Sequence, residues 1–248
     1  AEKERMAAYG ADMNKYLDSG NEARIKKAYE SRDPRLQMAV ITPYAQYNGA
    51  SSGIAHTYTL RWPYRGSDSA EPFDIRTDTN DKFYYLWRKF VPEGLEQTER
   101  DTYGLDIPLI RYAEVLLLKA EALNEWGSTH ESEAIRCVNE VRRRAGHVEL
   151  NNATYPATKV NGQSDLRERI RNEYYWEIGG EDSMYFHELR WGTWKDKKFD
   201  NNRNGLMQMW GETTYTWYWL GDQCWSWPIP AKEMEMNSNL QQNEGWIN

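Results

Sequence analysis

The sequence predicts a mainly α fold, in which tetratricopeptide-like helical hairpins carry a large loop-rich, aromatic-rich irregular part and a few short strands. Three observations predict it. Residues 107–146 read as two helices joined at a glycine. Residues 164–178 repeat the helical spacing. Around them the chain is interrupted by Gly, Pro, Asn and Ser, yet it is rich in rings: 12 Trp and 17 Tyr stand beside 5 Phe.

The first helix of the hairpin is expected over 107–126. Its polar residues Arg111, Glu114, Glu121 and Glu125 fall on one narrow stripe. Leu109, Tyr112, Leu116, Leu118, Ala120 and Leu123 occupy the rest of the circumference, and a helix of that kind must be covered on several sides. Asp106 is the expected cap, with Pro108 in the first turn, where its missing N–H is harmless. Gly127 ends the helix. Ser128 through Glu131 has capping-box spacing and opens a second helix, with Ala134, Val138, Val141 and Ala145 on one face and a stop at Gly146. Arg142, Arg143 and Arg144 sit in its last turn, where cations suit the helix dipole. One such unit cannot bury both its faces, so the rest of the chain must supply neighbours.

Ser164 is the expected cap of a third helix, with Leu166, Ile170, Tyr174 and Ile178 along one side and Gly179-Gly180 as its stop. A short helix follows over 184–191. Upstream, Met6, Tyr9 and Met13 have helical spacing within 2–18. Residues 36–42 read as a short strand, and 43–70 as a long irregular region of the sort that often carries function. Residues 83–91 alternate as a strand, 199–211 read as a polar loop, and 215–219 as extended and aromatic. Trp227-Pro228-Ile229-Pro230 cannot be helix interior. The tail after it has to be held by Leu240 and Trp246. The packing partners expected for the first helix are the third helix and the Trp227–Pro230 stretch.

Charge narrows the function. A net charge of -7 and an isoelectric point near 5.3 argue against nucleic acid, which needs a dominant basic surface. No apolar run approaches the roughly 18 residues of a membrane span. The first ten residues lack the apolar core of a signal peptide, so the chain is either cytosolic or begins downstream of its targeting signal.

Cys137 and Cys224 form no metal or redox motif. Cys137 is expected as a buried thiol, with a disulfide to Cys224 as the alternative. His56, His130, His147 and His187 show no i, i+4 pair, so no metal site or cofactor is expected. Asp200 through Gly205 matches the first half of a calcium loop, but the closing acid is displaced to Glu212, and a plain Asx-rich turn is the better reading. Glu173 and Glu177, at i, i+4, could be the paired carboxylates of a glycoside hydrolase. Arg169 and Arg171 on the same helix make ion pairing the simpler reading.

What remains is the ring content at a mean hydropathy of -0.92. Trp and Tyr can cover the C–H face of a sugar while Asn, Arg or Gln bond its hydroxyls. Tyr44, Tyr47, Trp62 and Tyr64, with Arg61 among them, form one candidate ligand-binding cluster. Tyr215, Trp217, Tyr218 and Trp219 form a second, with Trp217 its chosen contact.

Four segments, in order, resemble the SusD/RagB family of outer-membrane nutrient-binding lipoproteins. They are Arg32-Asp33-Pro34-Arg35-Leu36; Arg111-Tyr112-Ala113-Glu114-Val115-Leu116-Leu117 with Ala120-Glu121-Ala122 and the following Val138 to Gly146; Arg171-Asn172-Glu173 through Trp191; and Trp227-Pro228-Ile229-Pro230 with Asn239 to Trp246. The turn Gly179-Gly180-Glu181-Asp182 and Ser238 depart from the usual pattern. Family members are longer, so the resemblance implies that 1–248 is one C-terminal domain, with the signal, the lipid anchor and most helical repeats upstream.

It further implies a non-enzymatic protein on the outer-membrane surface of Bacteroidetes. Such a protein would bind a glycan in its loops and pass it to a SusC-like TonB-dependent transporter. The alternatives are a helical scaffold that binds only protein, and a hydrolase using Glu173 and Glu177. No family motif names the sugar contacts.

Overall fold

Leu166, Ile170, Tyr174 and Ile178 lie along one side of a helix and are each no more than 1% exposed, so the periodicity of the third helix locates the centre of the fold. The computed structural model describes residues 26–27, 29–30, 32–51, 54–60, 74–75, 86–94, 104, 106–181, 183–199 and 219–246. The chain divides into two compact units, Ala1–Met184 and Tyr185–Asn248. The helical reading of 2–18, the loop at 200–211 with its calcium-like pattern, Glu212 and the stretch 215–218 lie outside the described residues.

Asp33 lies in the first unit. Its carboxylate accepts from the backbone N–H of Arg35 at 2.9 Å and caps α1, Pro34–Ala39, with Pro34 at the first position. The strand expected over 36–42 is therefore mostly helix, and only β1, Val40–Ile41, is extended. Within the region read as irregular, the described residues 46–51 and 54–60 are strands. β2, Gln46–Ser51, and β3, Ile54–Leu60, form an antiparallel hairpin with Tyr47 opposite Tyr58. Gly49 is required there, because a Cβ would fall 2.8 Å from the Tyr58 ring. β4, Asp74–Ile75, runs parallel to β3, and β5, Leu86–Trp87, pairs with β1. Ile41, Tyr47 and Leu60 form a small core under this sheet.

The helical hairpin follows. α2 covers Tyr112–Trp126 and not 107–126. Arg111 is its cap, with φ -109° and ψ 151°, and accepts from Glu114 N at 2.9 Å. Ile107, Leu109 and Ile110 are exposed, so no burial supports an earlier helical turn. A 3-10 turn, Ser128–His130, leads into α3, Glu131–Arg144, and no side chain caps either. The expected capping box is replaced by a backbone bond, His130 N to Gly127 O at 3.0 Å. α4, Gln163–Ile178, begins after Gly162 without a serine cap and ends at Gly179.

α2 packs on both α3 and α4. Leu117, Ala120, Ala134 and Val138 are fully buried, each large aliphatic group adding about 1.5–3 kcal/mol of burial. Among the described residues of the first unit, the opposite side of α2 is not covered. Tyr112, Val115, Leu118 and Trp126 remain exposed, so the expectation of cover on several sides holds for two neighbours and fails for the outer face.

In the second unit, the helix over 184–191 is observed as α5, Ser183–Arg190, which straddles the division, and α6, Trp194–Phe199, follows. Pro230 caps α7, Ala231–Met236, after an extended Trp227–Pro230 stretch. Hydrogen bonds hold the tail. Gln242 bonds both backbone groups of Ile229, at 2.7 and 2.9 Å, and the Trp246 indole donates to Gln223 O and Ser226 O.

Candidate functional site

Glu173 and Glu177 stand one turn apart on α4, both buried, and their carboxylates face cations from three other segments. Glu173 Oε1 accepts from Arg35 Nη1 and its Oε2 from Arg142 Nε, both at 2.7 Å. Glu177 accepts from Arg35 at 3.2 Å, from Arg111 at 3.0 Å and from Arg144. Arg111 continues to Glu181, which also pairs with Lys89. The Lys89 ammonium further donates to the Glu177 and Gly179 carbonyls at the end of α4.

The sequence reading anticipated ion pairing but assigned the wrong partners. Arg169 pairs with Asp165 and Arg171 with Glu168, along their own helix. The partners of Glu173 come from α1 and from α3, whose arginines do more than complement a helix dipole. Arg142 is 4% exposed and also donates to Val148 O.

This arrangement does not resemble a hydrolytic pair. A general acid needs a carboxyl group reachable by substrate. Both oxygens of Glu173 are occupied by guanidinium donors and the residue is 0% exposed.

Around the pairs, burial and charge compete. Burial would raise the Asp33 carboxyl, but hydrogen bonds from Arg35 hold it below the ordinary carboxylate value. Glu181 behaves alike: desolvation is outweighed by Arg111 and Lys89. For His147, 3.5 Å from Asp33, desolvation prevails and lowers its pKa.

A cavity of about 240 Å³ opens beside this network. Arg35, Lys89, Arg111, Arg144 and Glu177 form its polar wall, and Trp176, Met38 and Ala39 the apolar one. Among the described residues, no group of three or more His, Cys, Asp or Glu is placed to hold a metal ion. Both cysteines are free thiols, with Cys137 buried.

Of the six rings and side chains proposed as ligand contacts, two are described. Tyr44 and Tyr47 are 9% and 8% exposed. Tyr47 donates its hydroxyl to Pro92 O at 2.7 Å and packs into the core under the sheet. Tyr44 has φ 62°, a left-handed conformation uncommon for a bulky residue, and its N–H donates to Leu60 O at 2.7 Å. In this arrangement Tyr47 serves the packing of the hairpin, and Tyr44 is buried next to its first strand. Arg61, Trp62, Tyr64 and Trp217 lie outside the described residues.

Sequence reasoning missed the rings that are open. In the first unit Trp176 is 44% exposed at the cavity wall. In the second, Trp227 is exposed while its indole N–H donates to the Tyr185 hydroxyl at 3.2 Å and Asn243 bonds its carbonyl. The proline on either side of Ile229 was the available signal, since it fixes the backbone that carries that indole.

Fold and site together define a helical-hairpin scaffold in which buried carboxylates are structural and exposed indoles are available for contact. The chain belongs to the SusD family, whose model matches residues 8–246.

Among curated proteins it is similar to SusD-like protein P38 of Formosa agariphila, 32% identical over 139 residues, which is 56% of this chain and 24% of that protein. It is also similar to starch-binding protein SusD of Bacteroides thetaiotaomicron, 28% identical over 161 residues, 64% of this chain and 25% of that protein. The chain thus spans about a quarter of the length of these relatives.

Among solved structures, a SusD-like protein from Bacteroides fragilis aligns with TM-score 0.64 and 22% identity, covering 89% of this chain and 40% of its own. A SusD homolog from Bacteroides thetaiotaomicron aligns with TM-score 0.56 and 21% identity, covering 90% and 42%. These likenesses establish the fold: mainly α, with a few short strands.

Proposed function

We propose that this chain is the glycan-binding C-terminal part of an outer-membrane surface lipoprotein. It captures oligosaccharide or polysaccharide, without hydrolysing it, for delivery to a SusC-like TonB-dependent transporter. The observation that carries this reading is membership of the SusD family, together with a relative named as starch-binding. No helix among the described residues is long and apolar enough to cross a membrane.

The proposed contacts are Arg61, Trp62, Tyr64 and Trp217. In sequence, residues 61–64 follow directly on β3, whose last residue Leu60 is fully buried. Titration of a polysaccharide panel against tryptophan fluorescence tests the reading. A saturable response to at least one glycan is expected. No response, with helical circular dichroism intact, overturns it.

A second reading is a scaffold that binds only protein, favoured by the exposed Ile107, Leu109 and Ile110 beside α2. Capture of an outer-membrane barrel by a chain with no affinity for sugar would select it.

A further inference from the structure

We infer that the cavity beside Trp176 is an oxyanion subsite for a carboxylate- or sulfate-bearing sugar residue, with Arg144 as its main anion contact. The polar wall carries four cations and one carboxylate, in a chain whose net charge is -7. That carboxylate, Glu177, already accepts from three guanidinium groups, those of Arg35, Arg111 and Arg144. Asp33, Glu173 and Glu181 offset Arg35, Arg142, Lys89 and Arg111 behind the wall, so with Glu177 and Arg144 the network holds five cations against four carboxylates. The one positive charge left over falls at the exposed Arg144, where a bound anion would relieve it.

The cations are not equivalent. Lys89 has three donors and three acceptors, the Glu177 and Gly179 carbonyls and Glu181. Arg111 is engaged through Nε, Nη1 and Nη2. Among the described residues Arg144 is tied only through Nη2, and its side chain is 58% exposed. Among the described residues nothing takes up its Nε or Nη1, and guanidinium N–H pairs suit a planar or tetrahedral oxyanion.

The other wall selects what the anion is attached to. The Trp176 indole is fixed edge-on by His147, with ring centroids 5.8 Å apart, and by the Arg142 guanidinium 5.7 Å from its centroid. A flat, half-open indole beside a free guanidinium edge fits one sugar ring carrying one charge. The volume, about 240 Å³, lies below the usual range of roughly 300–1,000 Å³ for small-molecule sites and suits a single ring better than a chain. The sugar half of this inference rests on the proposed glycan binding, and the oxyanion half on the cavity alone.

The test is calorimetric titration of the 248-residue chain with glucuronate, glucose and sodium sulfate at low ionic strength. It is repeated on Arg144→Gln, Arg144→Lys and Trp176→Leu, with unfolding midpoints recorded for each. Glucuronate is expected to bind at least tenfold more tightly than glucose. Arg144→Gln should lose at least tenfold, Arg144→Lys less, and Trp176→Leu should weaken glucuronate but not sulfate.

Glucuronate binding that is absent, or undiminished in a folded Arg144→Gln variant, overturns the subsite. If polysaccharides still bind in that case, the proposed function stands and only the subsite falls. Sulfate binding that depends on Arg144, with no response to any sugar, overturns the sugar half together with the proposed function.

Discussion

Arg142 Nε donates to Glu173 Oε2 at 2.7 Å between α3 and α4, with the two side chains 4% and 0% exposed. The same carboxylate holds Arg35 from α1. One buried group thus joins three elements, and desolvating it is tolerated only because both its oxygens have charged donors. Glu173→Gln would remove that match and leave two buried guanidinium groups short of charge. The variant should lose about 3–5 kcal/mol of stability. Glu125→Gln breaks a partly exposed pair with Arg167 and should cost about 1 kcal/mol or less. Urea unfolding checks both, with the midpoint moving and the slope unchanged.

Acid should loosen the same region in two stages. The His147 pKa is lowered, so the folded state disfavours its proton and stability falls as pH drops from about 6.5 through the folded pKa. Asp33 and Glu181 are also lowered. Their contribution is complete above the unfolded values of about 3.9 and 4.3, and is lost as pH falls through the folded ones. Urea midpoints measured from pH 7.5 to 3 should show a shallow decline and then a steep one. His147→Phe should flatten the first stage and leave the second.

The helical frame was legible in the sequence because it rests on local periodicity. Leu166, Ile170, Tyr174 and Ile178 share one face at a spacing only a helix provides, and all four are buried. The network on Glu173 was not legible in the same way. Its cations are Arg35 and Arg142, remote from it in sequence, whereas the nearer Arg169 and Arg171 point to Asp165 and Glu168. Local spacing favours the near partner, and tertiary contact decides. The β2–β3 hairpin was missed for another reason. Gln46, Asn48, Gly49 and Ser51 are poor strand formers, and the pairing of Tyr47 with Tyr58 that compensates them is a cross-strand contact.

The exposed apolar residues that lead into α2 carry a prediction about association. Ile107, Leu109, Ile110 and Tyr112 are between 68% and 92% exposed and follow one another closely along the chain. Exposed apolar side chains grouped in this way favour contact with another surface. The 248-residue chain should therefore self-associate with rising concentration. Leu109→Ser with Ile110→Ser should shift sedimentation toward the monomer while leaving the unfolding midpoint within about 0.5 kcal/mol equivalent, as expected for exposed positions. A concentration-independent monomer in the unmodified chain would show that this face is covered.

Tyr47 separates the two roles a ring can have in this protein. Its hydroxyl donates to Pro92 O at 2.7 Å and its ring joins Ile41 and Leu60, so Tyr47→Phe should cost about 1 kcal/mol, the value of one hydrogen bond. The ring would stay in place, and the small core of Ile41 and Leu60 with it. Glycan affinity should then be unchanged in Tyr47→Phe. In Trp62→Ala it should fall at least tenfold, about 1.4 kcal/mol, if that indole covers a sugar face. Fluorescence titration of both variants, with thermal unfolding as the control, checks the pair. Loss of affinity in a fully folded Tyr47→Phe would make its hydroxyl a ligand contact and reverse the assignment.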